Sequence, residues 1–292
     1  MPHVSANGIK LCYEASGERR ATPLLLIMGL GGQLTAWDDE LVVALVNRGF
    51  FVVRFDNRDV GRSSWFDEAG PPDVLGAFSG RGRAPYLLAD MADDAAGLLD
   101  ALELPAAHVL GVSMGGMIAQ SLAINHPNRV LSLVSIMSTT GDPAVGAPHP
   151  EAITTLLRPP PTDREGAMSG AVELWKTIGS PGFGFHEDRT RAQAAAAYDR
   201  AFHPDGTGRQ MVAILSSGDR TDGLYRVTCP TLVVHGDADP LVDPSGGQAT
   251  ADAVPGAELM IVAGMGHHLP LEIFDDLADR VATHATRASS ST

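Results

Sequence analysis

The sequence predicts an α/β protein: a mostly parallel sheet covered on both faces by helices, with a helical insertion in the second half of the chain. Three observations carry this. Short unbroken apolar runs recur, of the kind found in strands buried on both faces. Segments of helical period separate them, and strands joined through helices run parallel. From 140 to 226 the strand runs stop, and prolines cluster at Pro143, Pro148, Pro150, Pro159, Pro160 and Pro161. A stretch of roughly 85 residues is too long for a plain loop, so it should form a cap over one edge of the sheet.

Element by element, Ile9–Ala15 alternates and reads as an edge strand, and Pro23–Met28 as a buried one. Thr35 and Asp38 have capping-box spacing, which opens a helix over Trp37–Arg48. Gly49 then ends it, as the residue most tolerant of left-handed backbone. Phe50–Phe55 is the next buried strand. Leu87, Leu88, Met91, Ala95, Leu98, Leu99 and Leu102 recur at helical spacing and predict a helix with an acidic outer face. A strand over His108–Val112, a helix over Met114–Asn125 and a strand over Val130–Met137 follow. Within the insertion Ala192–Phe202 is the clearest helix. Beyond it come a strand at Thr231–His235, a helix near Gln248–Ala253, a strand at Glu258–Val262 and a helix over Leu271–Ala282. The polar tail from Arg287 is expected to fray. The expected division is a core at 1–139, a cap at 140–226 and the rest of the core at 227–292.

Composition narrows the function classes. Of 292 residues 44% are apolar and 19% charged, the balance of a globular chain with a sizeable core. Twenty-one basic against 35 acidic residues give a net charge of −14, which speaks against a nucleic-acid partner. No apolar run is long enough for a membrane span, and the N-terminus lacks a signal-peptide pattern, so the expected location is cytoplasmic. Cys12 and Cys229 stand in no metal-binding or CxxC spacing and read as small buried apolar residues. No metal or cofactor motif emerges, because Gly29-Leu30-Gly31-Gly32 lacks the dinucleotide spacing and His267-His268 is not a zinc pattern.

Gly111-Val112-Ser113-Met114-Gly115 is a G-x-S-x-G motif with a strand before it and a helix after. A nucleophile on so sharp a turn crowds the positions two before and two after it, and only tiny side chains fit there. Serine needs a base, because its hydroxyl is a weak nucleophile at neutral pH. His267, in the tight loop Gly264-Met265-Gly266-His267, is the candidate, with the adjacent His268 its rival. That imidazole needs a carboxylate to fix its tautomer. Asp239 is favoured because Pro240 holds it extended; Asp237, read as a turn former, and Asp243 are the alternatives. For an oxyanion hole, the Leu30 N–H in the glycine-rich loop Met28–Gly32 pairs with the Met114 N–H at a helix start. The segment Asp56–Ser63 reads as a charged turn tied by local hydrogen bonds and an Arg–Asp pair. Trp37, Trp65, Trp175, Phe183 and Phe185 are candidates for an acyl pocket, although aromatic residues more often fill cores.

These motifs, in the order Ser113, Asp239, His267, resemble the α/β-hydrolase superfamily over essentially the whole chain. The Met28–Gly32 loop, Arg54-Phe55-Asp56-Asn57-Arg58-Asp59, the elbow and Gly264-Met265-Gly266-His267 are similar to one bacterial branch. That branch holds aclacinomycin methylesterase and mycobacterial lipase/esterase-type carboxylesterases. The resemblance implies the α/β-hydrolase fold with a helical cap inserted after the sixth strand. It also implies a cofactor-independent serine esterase with Ser113 as nucleophile, His267 as base, Asp239 as acid, and Leu30 and Met114 as oxyanion donors. Met28 stands where most of the superfamily has histidine, as in this branch, whereas His268 replaces the aspartate that many branch members carry after the base. The expected partner is a small ester with an apolar acyl or polycyclic group. Carbon–carbon bond hydrolysis, perhydrolysis and a ligand-sensing role on the same scaffold are the alternatives.

Overall fold

The computed structural model describes residues 1–290. Eight strands form one sheet in the order β1-β2-β4-β3-β5-β6-β7-β8. They are β1 (His3–Ala6), β2 (Ile9–Ser16), β3 (Thr22–Ile27), β4 (Phe50–Phe55), β5 (Ala107–Val112), β6 (Val130–Ile136), β7 (Thr231–Gly236) and β8 (Glu258–Val262). The two N-terminal strands pair antiparallel, β2 pairs antiparallel with β4, and every later pairing is parallel.

The apolar runs are unbroken because both faces are covered. Along β3, Leu25 and Ile27 enter one core and Leu24 and Leu26 the other, all four with no exposed surface. The first core packs under α3 (Leu88–Ala101) and α4 (Met114–Asn125), the second under α1 (Asp39–Asn47) and α11 (Phe274–Ser290). Two further helices lie in the core portions of the chain, α2 (Val74–Phe78) and α10 (Pro244–Ala253). Between β6 and β7 come α5 (Pro150–Leu156), α6 (Arg164–Ile178), α7 (Glu187–Arg200), α8 (Pro204–Ser217) and α9 (Thr221–Leu224), with no strand among them. Among the described residues no helix is long and apolar enough to cross a membrane.

Several expectations need correcting. The strand over Ile9–Ala15 is not at the edge, because β1 lies outside it. The turn between them, Asn7-Gly8, has φ of 46° and 78°, the backbone of a tight hairpin, and that dipeptide was the missed signal. No capping box opens α1. A short 3-10 turn over Leu34–Ala36 precedes it, Trp37 is buried, and Asp38 is the N-cap residue. The acidic face of α3 is broken by Asp94, which turns inward to Arg58 at 2.6 Å. Cys12 is buried, but Cys229 is only half-buried. The tail is helical through Ser290, while residues 291–292 lie outside the described residues.

The segment Asp56–Ser63 departs furthest from its reading, because its ion pairs are long-range. Asp56, with no exposed surface, accepts from Arg200 of α7 at 2.7 Å and from the Leu34 and Arg62 N–H groups. Asp59, equally buried, accepts from Arg209 of α8 at 2.9 Å. The insertion is therefore anchored to the loop that follows β4.

Candidate active site

The carboxyl ends of the parallel strands carry the candidate residues, where ligands of open α/β sheets bind. Ser113 lies between β5 and α4 at φ 55°, a left-handed value that is strained for a side chain with a Cβ. The surrounding sterics explain the motif. A Cβ on Gly111 would overlap the Gly115 carbonyl, and one on Gly115 would overlap the Ile27 carbonyl. Gly29 abuts the serine: a Cβ there would sit 3.3 Å from Ser113 Cβ. The loop Met28–Gly32 is thus pressed against the elbow, with Leu30 one residue along. The Met114 N–H opens α4, where first-turn N–H groups have no partner within the helix.

His267 and Asp239 converge on this serine from two later loops. His267 Nε2 is 2.9 Å from Ser113 Oγ, and its Nδ1 is 2.8 Å from Asp239 Oδ2. An ionised carboxylate can only accept, so Nδ1 carries the proton and Nε2 is free to accept from the serine hydroxyl. Burial pushes the Asp239 carboxyl up. The charge of His267 and the hydrogen bonds from His235, His267 and the Val242 N–H outweigh it and hold the group well below the usual carboxylate range. Its other oxygen, Oδ1, accepts from the Leu241 and Val242 N–H groups at 2.9 and 3.0 Å.

The rivals are occupied elsewhere. Asp237 does not bond its own turn; its Oδ1 accepts from the Gly264 N–H at 2.6 Å, which ties the loop after β7 to the loop after β8. Asp243 is the N-cap of α10 and accepts from the Ser245 N–H. The His268 ring meets Trp175 of α6 edge-on, with ring centroids 5.1 Å apart. Burial pushes its pKa down, against the opposing charges of Asp38 and Glu272. Of the other aromatic candidates, Trp37 is core, Phe183 packs on the second core, Trp65 stacks on His203 and Phe185 is exposed.

Three further contacts were not anticipated. His235 Nε2–H donates to the Val242 carbonyl at 2.8 Å and lies 3.4 Å from Asp239 Oδ2. Its place inside an apolar strand run was the available signal. The Ser180 hydroxyl, between α6 and α7, donates to the His268 carbonyl and accepts from the Gly266 N–H, while the Ile178 carbonyl accepts from the His267 N–H. Gln210 of α8 accepts from the Gly31 N–H. No local pattern announces either of the last two.

An eight-stranded, mostly parallel sheet with a strained serine elbow and a hydrogen-bonded histidine and carboxylate at its carboxyl edge defines a class of hydrolase. Residues 22–272 match the family model of the alpha/beta hydrolase fold, so the chain belongs to the α/β-hydrolase family, and it is a hydrolase. It is 32% identical to rhodomycin D methylesterase of Streptomyces peucetius, with 98% of each chain covered. Among solved structures, an enol-lactonase from Burkholderia xenovorans is 25% identical with a TM-score of 0.75, covering 98% of this chain and 100% of that one. A meta-cleavage product hydrolase from Pseudomonas fluorescens shares the fold at 19% identity, with a TM-score of 0.78 and 99% and 98% coverage.

Proposed function

We propose that this protein hydrolyses carboxylic esters through a Ser113–His267–Asp239 triad and an acyl-enzyme. The observation that carries the reading is the pair of hydrogen bonds, 2.9 and 2.8 Å, that links the strained serine through one imidazole to a buried carboxylate. Ser113 Oγ attacks the ester carbonyl as its proton passes to His267 Nε2. The carbonyl oxygen gains negative charge and is held by the N–H groups of Leu30 and Met114. Leu30 is favoured within its loop because the Gly31 and Gly32 N–H groups already bond Gln210 and the Gly29 carbonyl. The tetrahedral intermediate collapses, and the alcohol leaves with the proton from His267. Water then gives a proton to the same nitrogen and attacks the acyl-enzyme, releasing the acid and restoring Ser113. Asp239 holds the tautomer and stabilises the imidazolium. No step needs a cofactor.

Residues 140–226 act in this reading as the cap that shapes the acyl pocket, with the C-terminal end of α6 and Ser180 hydrogen-bonded to the histidine loop and Trp175 stacked edge-on against His268. The similarity to a methylesterase over the full chain favours a methyl ester of a bulky apolar acid as substrate. Hydrolysis of methyl esters and of p-nitrophenyl esters of increasing acyl length tests this, for the wild type and for Ser113→Ala. The variant should lose about 10⁴-fold or more in kcat. Near-wild-type turnover by Ser113→Ala would overturn the mechanism.

A further inference from the structure

We infer that Gln210, contributed by α8 of the insertion, is a positioning residue for the oxyanion loop. It fixes the peptide between Leu30 and Gly31 and so keeps the Leu30 N–H aimed at the carbonyl under attack. The inference rests on the proposed esterase reading and extends it from the residues that meet substrate to one that acts through them.

Gln210 has no exposed surface, and both ends of its carboxamide are committed to the core. Its Oε1 accepts from the Gly31 N–H at 2.9 Å, and its Nε2 donates to the Arg58 carbonyl at 2.8 Å. One side chain therefore bridges the loop after β3 and the loop after β4. The rest of α8 leaves it little room to move. Gly206 lies so close to the Asp59 carbonyl that a Cβ would overlap it, and Arg209 pairs with the Asp59 carboxylate at 2.9 Å. Thr207 presses on Gly31, whose φ of 66° needs glycine and where a Cβ would meet the threonine methyl at 2.9 Å. The far side of the loop is held as well, by Asn57 Nδ2 donating to the Met28 carbonyl at 2.9 Å.

The loop is otherwise rich in glycine, and glycine backbones have many conformations of similar energy. An oxyanion donor is effective only when held in place before charge develops. Without an acceptor for the Gly31 N–H, the 30–31 peptide loses its anchor, Leu30 Cα is free to shift, and the 29–30 peptide that carries the Leu30 N–H shifts with it. The consequence for the fold is that α8 belongs to the catalytic scaffold.

The test compares Gln210→Met and Gln210→Glu with the wild type on one p-nitrophenyl ester. Rates are divided by the active sites that an organophosphate titrates to completion, so that misfolded protein does not count. Methionine keeps the bulk and removes the acceptor; glutamate keeps the acceptor. The expected result is a fall in kcat of about 10- to 100-fold for Gln210→Met, with KM within threefold, because misdirecting a donor costs somewhat less than deleting one. Gln210→Glu should retain kcat within about fivefold. Equal losses in both variants, or no loss in Gln210→Met, would overturn the inference. A wild type that takes no organophosphate would instead sink the esterase reading, and this inference with it.

Discussion

Replacing Asp239 by asparagine changes one atom, and the hydrogen bonds around it dictate the consequence. Oδ1 accepts from two backbone N–H groups, Leu241 and Val242, that cannot turn around. The carboxamide oxygen must take that place, which puts the NH2 group where Oδ2 was, 2.8 Å from His267 Nδ1. The opposite flip would set the NH2 against both backbone donors and lose two bonds. Since NH2 only donates, His267 has to present a bare Nδ1 and carry its proton on Nε2. That proton then points at Ser113 Oγ, and the serine has no base. The wrong tautomer is worth about 10⁴-fold in kcat, or about 5 kcal/mol of barrier. The fold should suffer far less, because the one new conflict is with His235 Nε2, 3.4 Å away, and costs about 1–2 kcal/mol. The assay is kcat at pH 7 on a p-nitrophenyl ester, with a melting curve beside it. A kcat loss under tenfold in the folded variant would refute this assignment of the tautomer and the role of Asp239 with it.

Three further outcomes follow from the packing. Arg209→Met strips the fully buried Asp59 carboxylate of its guanidinium and leaves it the Phe66 N–H and the Tyr86 hydroxyl, with His203 Nε2 3.6 Å away. Breaking such a pair costs about 3–5 kcal/mol, so the melting temperature should drop by about 10 °C; a shift under 2 °C would contradict the pairing. Gly115→Ala drives a methyl group into the Ile27 carbonyl and displaces the elbow, and kcat/KM should fall at least tenfold. Unchanged kinetics would mean that the turn has slack the structure does not show. Acidification should weaken the fold before the carboxylates titrate, because burial pushes the pKa of His108 down to about 4. Between pH 6.5 and 4 the unfolded chain binds the proton that the folded chain refuses, so stability falls with pH, by up to about 3 kcal/mol from this residue. Urea unfolding of His108→Leu across that range should show a shallower slope than the wild type, and an equal slope would place the effect elsewhere.

Much of the site was legible because its geometry is local. The glycines at 111 and 115 follow from the crowding of a strand-to-helix turn, and the observed overlaps at both positions are that crowding. His267 and His268 share a loop, and adjacent side chains diverge, so one imidazole reaches Ser113 Oγ while the other meets Trp175. The reading of Asp237 as a turn former failed for an instructive reason. A short acidic side chain bonds its own backbone unless a neighbouring strand offers a better donor. Here the loop after β8 presents the Gly264 N–H to it, and Asp239 makes the turn bonds instead.

Periodicity and turn chemistry act over a few residues, and they determined the strands, the core faces of most helices and the serine elbow. The faces of β3 could be assigned from Leu24–Ile27 alone, since a strand alternates its side chains whatever surrounds it. How α7 and α8 dock onto the loops after β3 and β4 was decided only in the folded chain. Arg200 meets Asp56 across 144 residues of sequence, Arg209 meets Asp59 across 150, and Gln210 meets Gly31 across 179. Each of these residues would read as a solvated polar face in isolation. Arg209 and Gln210 are buried because close contacts at Gly31 and Gly206 let the backbone of α8 approach closely enough to exclude water, and once water is gone a charge or a carboxamide must find its partner in the protein.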